Sequence, residues 1–128
     1  MTKKAIQSLS EKIESLLSSS PIKVSDVISS PNYENNRHQG VYCIHDGNKF
    51  VYIGQTIGGR DGIALRIWDH AKEISELVEV LKVDTETFQT YLVRSLEVKD
   101  VRLRSRIELF GIAVLDPEGN KLGKTKIN

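Results

Sequence analysis

Six polar residues in this chain of 128 have side chains suited to chemistry and no evident packing reason for their positions: Tyr42, Tyr52, Arg66, His70, Glu108 and Asn120. A guanidinium stays charged and presents several donors. An imidazole can take a proton near neutral pH, which a phenol with an ordinary pKa of about 10 does poorly. A carboxylate is a ligand for hard cations. Each residue also has an ordinary reading when taken alone. The tyrosines could be strand residues with hydroxyls in solvent, and Arg66 could pair with Asp69. Glu108 could pair with Arg104 one helical turn away, His70 could be a surface residue, and Asn120 could be a turn residue after Pro117 and Gly119.

The elements that must position them follow from periodicity. Residues 40–54, GVYCIHDGNKFVYIG, carry two apolar runs around Asp46-Gly47-Asn48, residue types that tolerate tight turns. A three-residue loop centred on Gly47 would set Tyr42 opposite Tyr52 and Ile44 opposite Phe50 on one face, with Val41–Ile53 and Cys43–Val51 on the other. Two phenols side by side follow from that register. Ile57 to Gly62 forms a glycine-rich loop, and Ile63 to about Ile74 has helical spacing in Ala64, Leu65, Ile67, Trp68 and Ala71. Arg66 and His70 stand one turn apart on that helix and share a face. Trp68 is expected in the core. The 75–83 segment leans to helix, and Phe88 to Leu96 alternates as a third strand. A helix from Asp100 to about Val114 carries Glu108, and residues 116–120 end it.

Lys3 to Leu17 is an amphipathic helix by the spacing of Ala5, Ile6, Leu9, Ile13 and Leu16, ended by Ser18-Ser19-Ser20-Pro21. Residues 22–39 read as a connector. The expected organisation is a helix and connector over 1–39, serving as a recognition or dimerisation arm, a domain over 40–120, and a basic tail over 121–128. A formal net charge of +1 gives no global signature of a nucleic-acid binder. The lone Cys43 excludes an intramolecular disulfide and a cysteine-rich zinc site, and is expected as a small buried apolar group. No apolar run approaches the roughly 20 residues of a membrane span, and no signal-peptide core follows Met1, so a cytoplasmic protein with no membrane partner is expected.

The two triplets Gly40-Val41-Tyr42 and Tyr52-Ile53-Gly54, an arginine on the following helix, a glutamate on a later helix and an asparagine twelve residues beyond it resemble the GIY-YIG nuclease domain. The resemblance covers Gly40 to Asn120, about two thirds of the chain. Arg66-x-x-x-His70 and the 88–120 stretch are most similar to the restriction endonuclease branch. Gly-Val-Tyr is a variant of the first triplet, and Gln55 stands where excision-repair relatives carry a lysine. The implied fold is α+β: a small, three-stranded, mostly antiparallel sheet flanked by helices, with the 1–39 helical extension.

The implied activity is divalent-metal-dependent endonucleolytic hydrolysis of phosphodiester bonds in DNA, of a restriction type or in a phage or mobile-element nuclease. Such a reaction needs a deprotonated water, neutralisation of charge on the phosphate and help for the departing oxygen. The resemblance makes Tyr42, Tyr52, Arg66, His70 and Glu108 catalytic. Glu108 is the ligand for one Mg²⁺ or Mn²⁺, Arg66 the phosphate clamp, and either Tyr42 or His70 the base, with His70 or Tyr52 relieving Tyr42 of its proton. Asn120, Arg60, Gly54 and Lys121 are the expected DNA contacts, the glycines of the 54–62 region letting a nucleic-acid backbone approach. A two-strand cut would need two sites, so a homodimer or a protein partner through the first helix is expected. The competing readings are a catalytically silent nucleic-acid-binding module, a repair or branched-DNA nuclease of the same fold, and a partner-binding domain.

Overall fold

The computed structural model describes residues 2–29, 38–56, 62–72 and 75–121, with Lys121 described by its backbone alone. Arg60, most of the glycine-rich loop and the basic tail beyond Lys121 lie outside the described residues, as does the Lys121 side chain. Helix α1 (Lys3–Ser18) starts where the Thr2 hydroxyl accepts from the Ala5 N–H at 3.1 Å, satisfying one of the free donors of a helix start. It ends at Ser19, whose extended backbone leads to Pro21. Strand β1 (Ile22–Lys23) and helix α2 (Val24–Ser29) follow within what the sequence suggests is a connector.

The sheet has four antiparallel strands rather than the three expected, in the order β1-β4-β2-β3, where β2 is Gly40–His45, β3 Phe50–Gln55 and β4 Leu92–Glu97. The additional strand is β1, only two residues long, which pairs Ile22 with Val93. Strand β4 starts later than alternation suggests. The Asp84 carboxylate accepts from the Thr87 N–H at 2.6 Å and turns Thr85–Phe88 into a short helix, α5.

The hairpin also departs from its expected register. Asp46 accepts from the N–H groups of both Asn48 (2.8 Å) and Lys49 (2.9 Å), while Gly47 adopts φ +108°. The loop therefore spans four residues, 46–49, and the strands pair Tyr42 with Gly54 and Ile44 with Tyr52. A bulge then sets His45 against Phe50. A slide of two residues preserves the side-chain parity of a strand, so Tyr42 and Tyr52 still share a face. They meet diagonally, with ring centroids 6.1 Å apart, instead of directly opposite. Because of the bulge, Val51 packs with Ile44, whereas Phe50 packs on the other face with Cys43.

Each face of the sheet has its own apolar layer. On one, Tyr42, Ile44, Val51 and Val93 pack against α2, helix α3 (Gly62–His70), helix α4 (Glu76–Leu81) and Phe88. On the other, Val41, Cys43 and Ile53 pack against Leu9, Ile13 and Leu16 of α1 and Ile107 of helix α6 (Val101–Leu115). The stripe of α1 on which contact with a second chain was expected is thus occupied inside this chain. Helix α6 is capped by Asp100, whose carboxylate accepts from the Leu103 N–H at 3.0 Å. Asp116 in the left-handed conformation ends it, and a 3₁₀ turn over Glu118–Lys121 follows. Among the described residues no helix is long and apolar enough to cross a membrane.

Candidate active site

The sheet order makes β3 an edge strand, and α3 and α6, which belong to opposite faces, meet beside it. A cleft of about 360 Å³ opens there, lined by Tyr52, Gln55 and Thr56 from β3 and its exit, Arg66 from α3, and Arg104 and Glu108 from α6. Residues separated by more than 50 positions in sequence are brought together by that one edge.

Behind the cleft wall lies an aromatic cluster. The Tyr42 hydroxyl is 2.8 Å from His70 Nε2, and the His70 ring meets Tyr52 edge-on with centroids 4.7 Å apart. Tyr42 has no exposed surface, while Tyr52 is half-buried and lines the cleft. This corrects the expectation that Tyr42 meets an attacking water directly: Tyr52 is the phenol that faces the cleft. Gly54 explains how the ring fits. A Cβ at Gly54 would lie 2.6 Å from the Tyr42 hydroxyl and 2.8 Å from the Tyr52 ring. Gly54 is buried beneath the two tyrosines, so it makes room for them rather than for a nucleic-acid backbone.

Burial dominates the electrostatics. It raises the Tyr42 pKa well above the ordinary phenol value, helped by Tyr52 and opposed by the Arg66 charge. Tyr52 moves in the same direction, first through burial and then through the Glu108 charge. The His70 pKa is lowered to about 4, by burial first and Arg66 second. At neutral pH His70 is therefore an uncharged imidazole, weaker as a base than an exposed histidine. In the tautomer that carries the proton on Nδ1, its Nε2 accepts from the Tyr42 hydroxyl. Burial also raises the Glu108 pKa, against the stabilising effects of Gln55 and Arg66.

The ordinary readings of the charged residues are not the ones realised. Asp69 pairs with Lys72 at 3.2 Å, leaving Arg66 to the cleft with its Nε buried and lacking a hydrogen-bond partner. Arg104 makes no ion pair with Glu108 and donates from Nη1 to Thr56 Oγ1 (2.8 Å) and Gln39 Oε1 (3.1 Å). Arg104 is the residue that sequence reasoning missed, having counted it only as a surface partner of Glu108. Its position on the buried side of α6, one turn before Glu108 beside Ile107, is the signal that could have singled it out.

Asn120 lies apart from the cleft. Its Oδ1 accepts from the Ile53 N–H (2.8 Å) and its Nδ2 donates to the Ile53 carbonyl (2.7 Å), so its amide extends the outer edge of β3 like a strand partner. That directs the Asn120 amide at protein backbone rather than at DNA. Trp68, expected in the core, is 48% exposed on the flank of α3 with Lys72 Nζ 3.9 Å from its ring centre. The core stripe of α3 is filled by Ile63, Ala64, Ile67 and Ala71.

Among the described residues no group of three or more His, Cys, Asp or Glu side chains is arranged to hold a metal. A single carboxylate in a polar cleft nevertheless suits a hard cation that keeps most of its waters. No family model matches the chain, and no characterised protein sequence is significantly similar to it.

Proposed function

We propose that this protein is a divalent-metal-dependent endonuclease that hydrolyses phosphodiester bonds in DNA, of the GIY-YIG type. The observation that carries the reading is the convergence on one cleft and the cluster behind it: Glu108 and Arg66 line the same cleft of about 360 Å³, with Tyr52 in the wall and the Tyr42–His70 hydrogen bond behind. Mere binding of a polyanion gains nothing from a carboxylate set among the cations, because that carboxylate repels the ligand.

Arg66, in the cleft wall, clamps the scissile phosphate with its guanidinium. A bound Mg²⁺ or Mn²⁺ on Glu108 would supply Lewis-acid stabilisation of the phosphate and departing oxygen. The attacking water loses its proton to the Tyr52 hydroxyl at the cleft wall as the Tyr52 proton passes to Tyr42 and the Tyr42 proton to His70 Nε2. The two phenols are regenerated, and one imidazolium remains to be discharged. Neither phenolate need accumulate, which matters because burial disfavours both.

The test is nicking of supercoiled plasmid by the full chain with Mg²⁺ or Mn²⁺, beside Glu108→Ala and Arg66→Ala. Activity in the wild type with loss in both variants is the expected result. Equal residual nicking by all three would sink the catalytic reading and leave a binding module.

A further inference from the structure

Arg104 is 4% exposed, yet it has no ion pair among the described residues. A buried guanidinium ordinarily needs a carboxylate to offset its desolvation. The acidic residues nearest on its helix form no ion pair with it: the Asp100 carboxylate caps α6 through the Leu103 N–H, and Glu108 lines the cleft without pairing to Arg104. Thr56 and Gln39 hold Nη1 in place, whereas Nε has no partner. Two neutral acceptors orient the guanidinium without neutralising it. Among the described residues the cleft wall therefore carries two arginines and one glutamate, an excess of positive charge in place before any ligand arrives.

We infer that Arg104 is a second phosphate-binding guanidinium of the cleft, holding a phosphate of the nucleic-acid strand beside the one clamped by Arg66. This rests on the nuclease reading for the identity of the ligand, but the anion site itself stands on a buried charge that no described residue compensates. Fixing two successive phosphates would define the path of the strand past Glu108 and Tyr52, which a single clamp leaves free to pivot. Such a contact positions without reading sequence.

The experiment is NMR of arginine Nε–Hε groups in the full chain, with assignments from Arg104→Lys and Arg66→Lys. A short DNA duplex is titrated in the absence of divalent cations, and inorganic phosphate in a parallel series. Saturable shifts of both Arg66 and Arg104 with DNA are expected. Arg104→Gln should weaken binding about tenfold and reduce the salt dependence by about one phosphate contact, while Arg102→Gln on the exposed side of α6 changes neither. A shift of Arg66 alone, with Arg104 unmoved by either titrant, would overturn the inference and leave the nuclease reading intact. Movement of Arg104 with inorganic phosphate but no response to DNA would keep the anion site and remove the nuclease reading. Because the shifts are read on the wild type, the outcome does not depend on the variants folding well.

Discussion

The two faces of the sheet are built to different ends. Beneath α1 and α6 lies a layer of apolar side chains, Leu9, Ile13, Leu16, Val41, Cys43, Ile53 and Ile107, beside which Arg94 donates to the Ser19 carbonyl and Arg104 to Thr56 and Gln39. Across the sheet, Tyr42 occupies a central position with a hydroxyl that must be satisfied, and His70 satisfies it. The buried nitrogens lacking partners among the described residues are His38 Nε2, Arg66 Nε and Arg104 Nε, and the two arginines line the cleft. Unsatisfied buried donors destabilise a fold. Two of the three sit at the cleft, which sets that region apart from the apolar layer under α1.

The strongest way to break that division is Arg66→Ala. Losing the phosphate clamp should lower plasmid nicking by on the order of 10³-fold, about 4 kcal/mol of transition-state stabilisation. Thermal stability should fall only slightly, because the hydrogen bonding of the guanidinium with Tyr42 and Tyr52 is lost together with a buried Nε that has no partner. A large fall in melting temperature would mean that Arg66 is structural. The converse is Leu16→Ala, under α1, where no exposed surface remains. It should cost about 3 kcal/mol of stability through lost burial and the cavity left behind, measured by urea unfolding. Activity per folded molecule should hold. If it drops in parallel with a site variant, the two faces are coupled.

The division was only partly legible in the sequence. Helices α1 and α6 were, because their apolar spacing extends over 16 and 15 residues and both have side-chain caps. The facing of most of the hairpin was also legible, since parity sets it, but the bulge at His45 exchanges the faces expected for Phe50 and Val51. The register of the hairpin was not legible: a two-residue slide by itself leaves every face unchanged, so pairing chemistry cannot detect it, and the choice rests with the two bonds accepted by Asp46. Arg66, Glu108 and Tyr52 could be picked out by type and spacing. The burial of Tyr42, the position of Arg104 and the exposure of Trp68 depend on how helices from opposite faces meet at a sheet edge, and no local pattern encodes that. Strand β1 is two residues long, too short for any alternation.

Next in size is the pH response of His70. Its folded pKa of about 4 lies below the ordinary 6.5, so the unfolded chain binds this proton first as pH falls. The contribution of the neutral imidazole is fully present above pH 6.5 and is lost as pH falls from there towards 4. At about 1.4 kcal/mol per pH unit the loss reaches about 3 kcal/mol. Urea unfolding at a series of pH values should show this slope in the wild type and a shallower one in His70→Gln. Equal slopes would place the destabilising protonation elsewhere. The acid limb of the nicking rate should likewise lie below pH 6.5, since His70 accepts a proton only when neutral.

The smallest expected effect sharpens the comparison most, because Asn120 is where a structural and a ligand-binding role give opposite results. Its amide makes two hydrogen bonds to Ile53, whose side chain belongs to the apolar face and whose neighbours Tyr52 and Gly54 belong to the site. Asn120→Ala removes both bonds and should cost about 1–2 kcal/mol of stability, with DNA affinity of the folded protein unchanged. Asn120→Asp should fall between: it still accepts from the Ile53 N–H but sets a carboxylate oxygen against the Ile53 carbonyl. Unfolding curves and DNA-binding isotherms on the same preparations decide the matter. Lower DNA affinity at unaltered stability would give Asn120 to the ligand; the reverse makes it the clasp that fixes the edge strand carrying Tyr52.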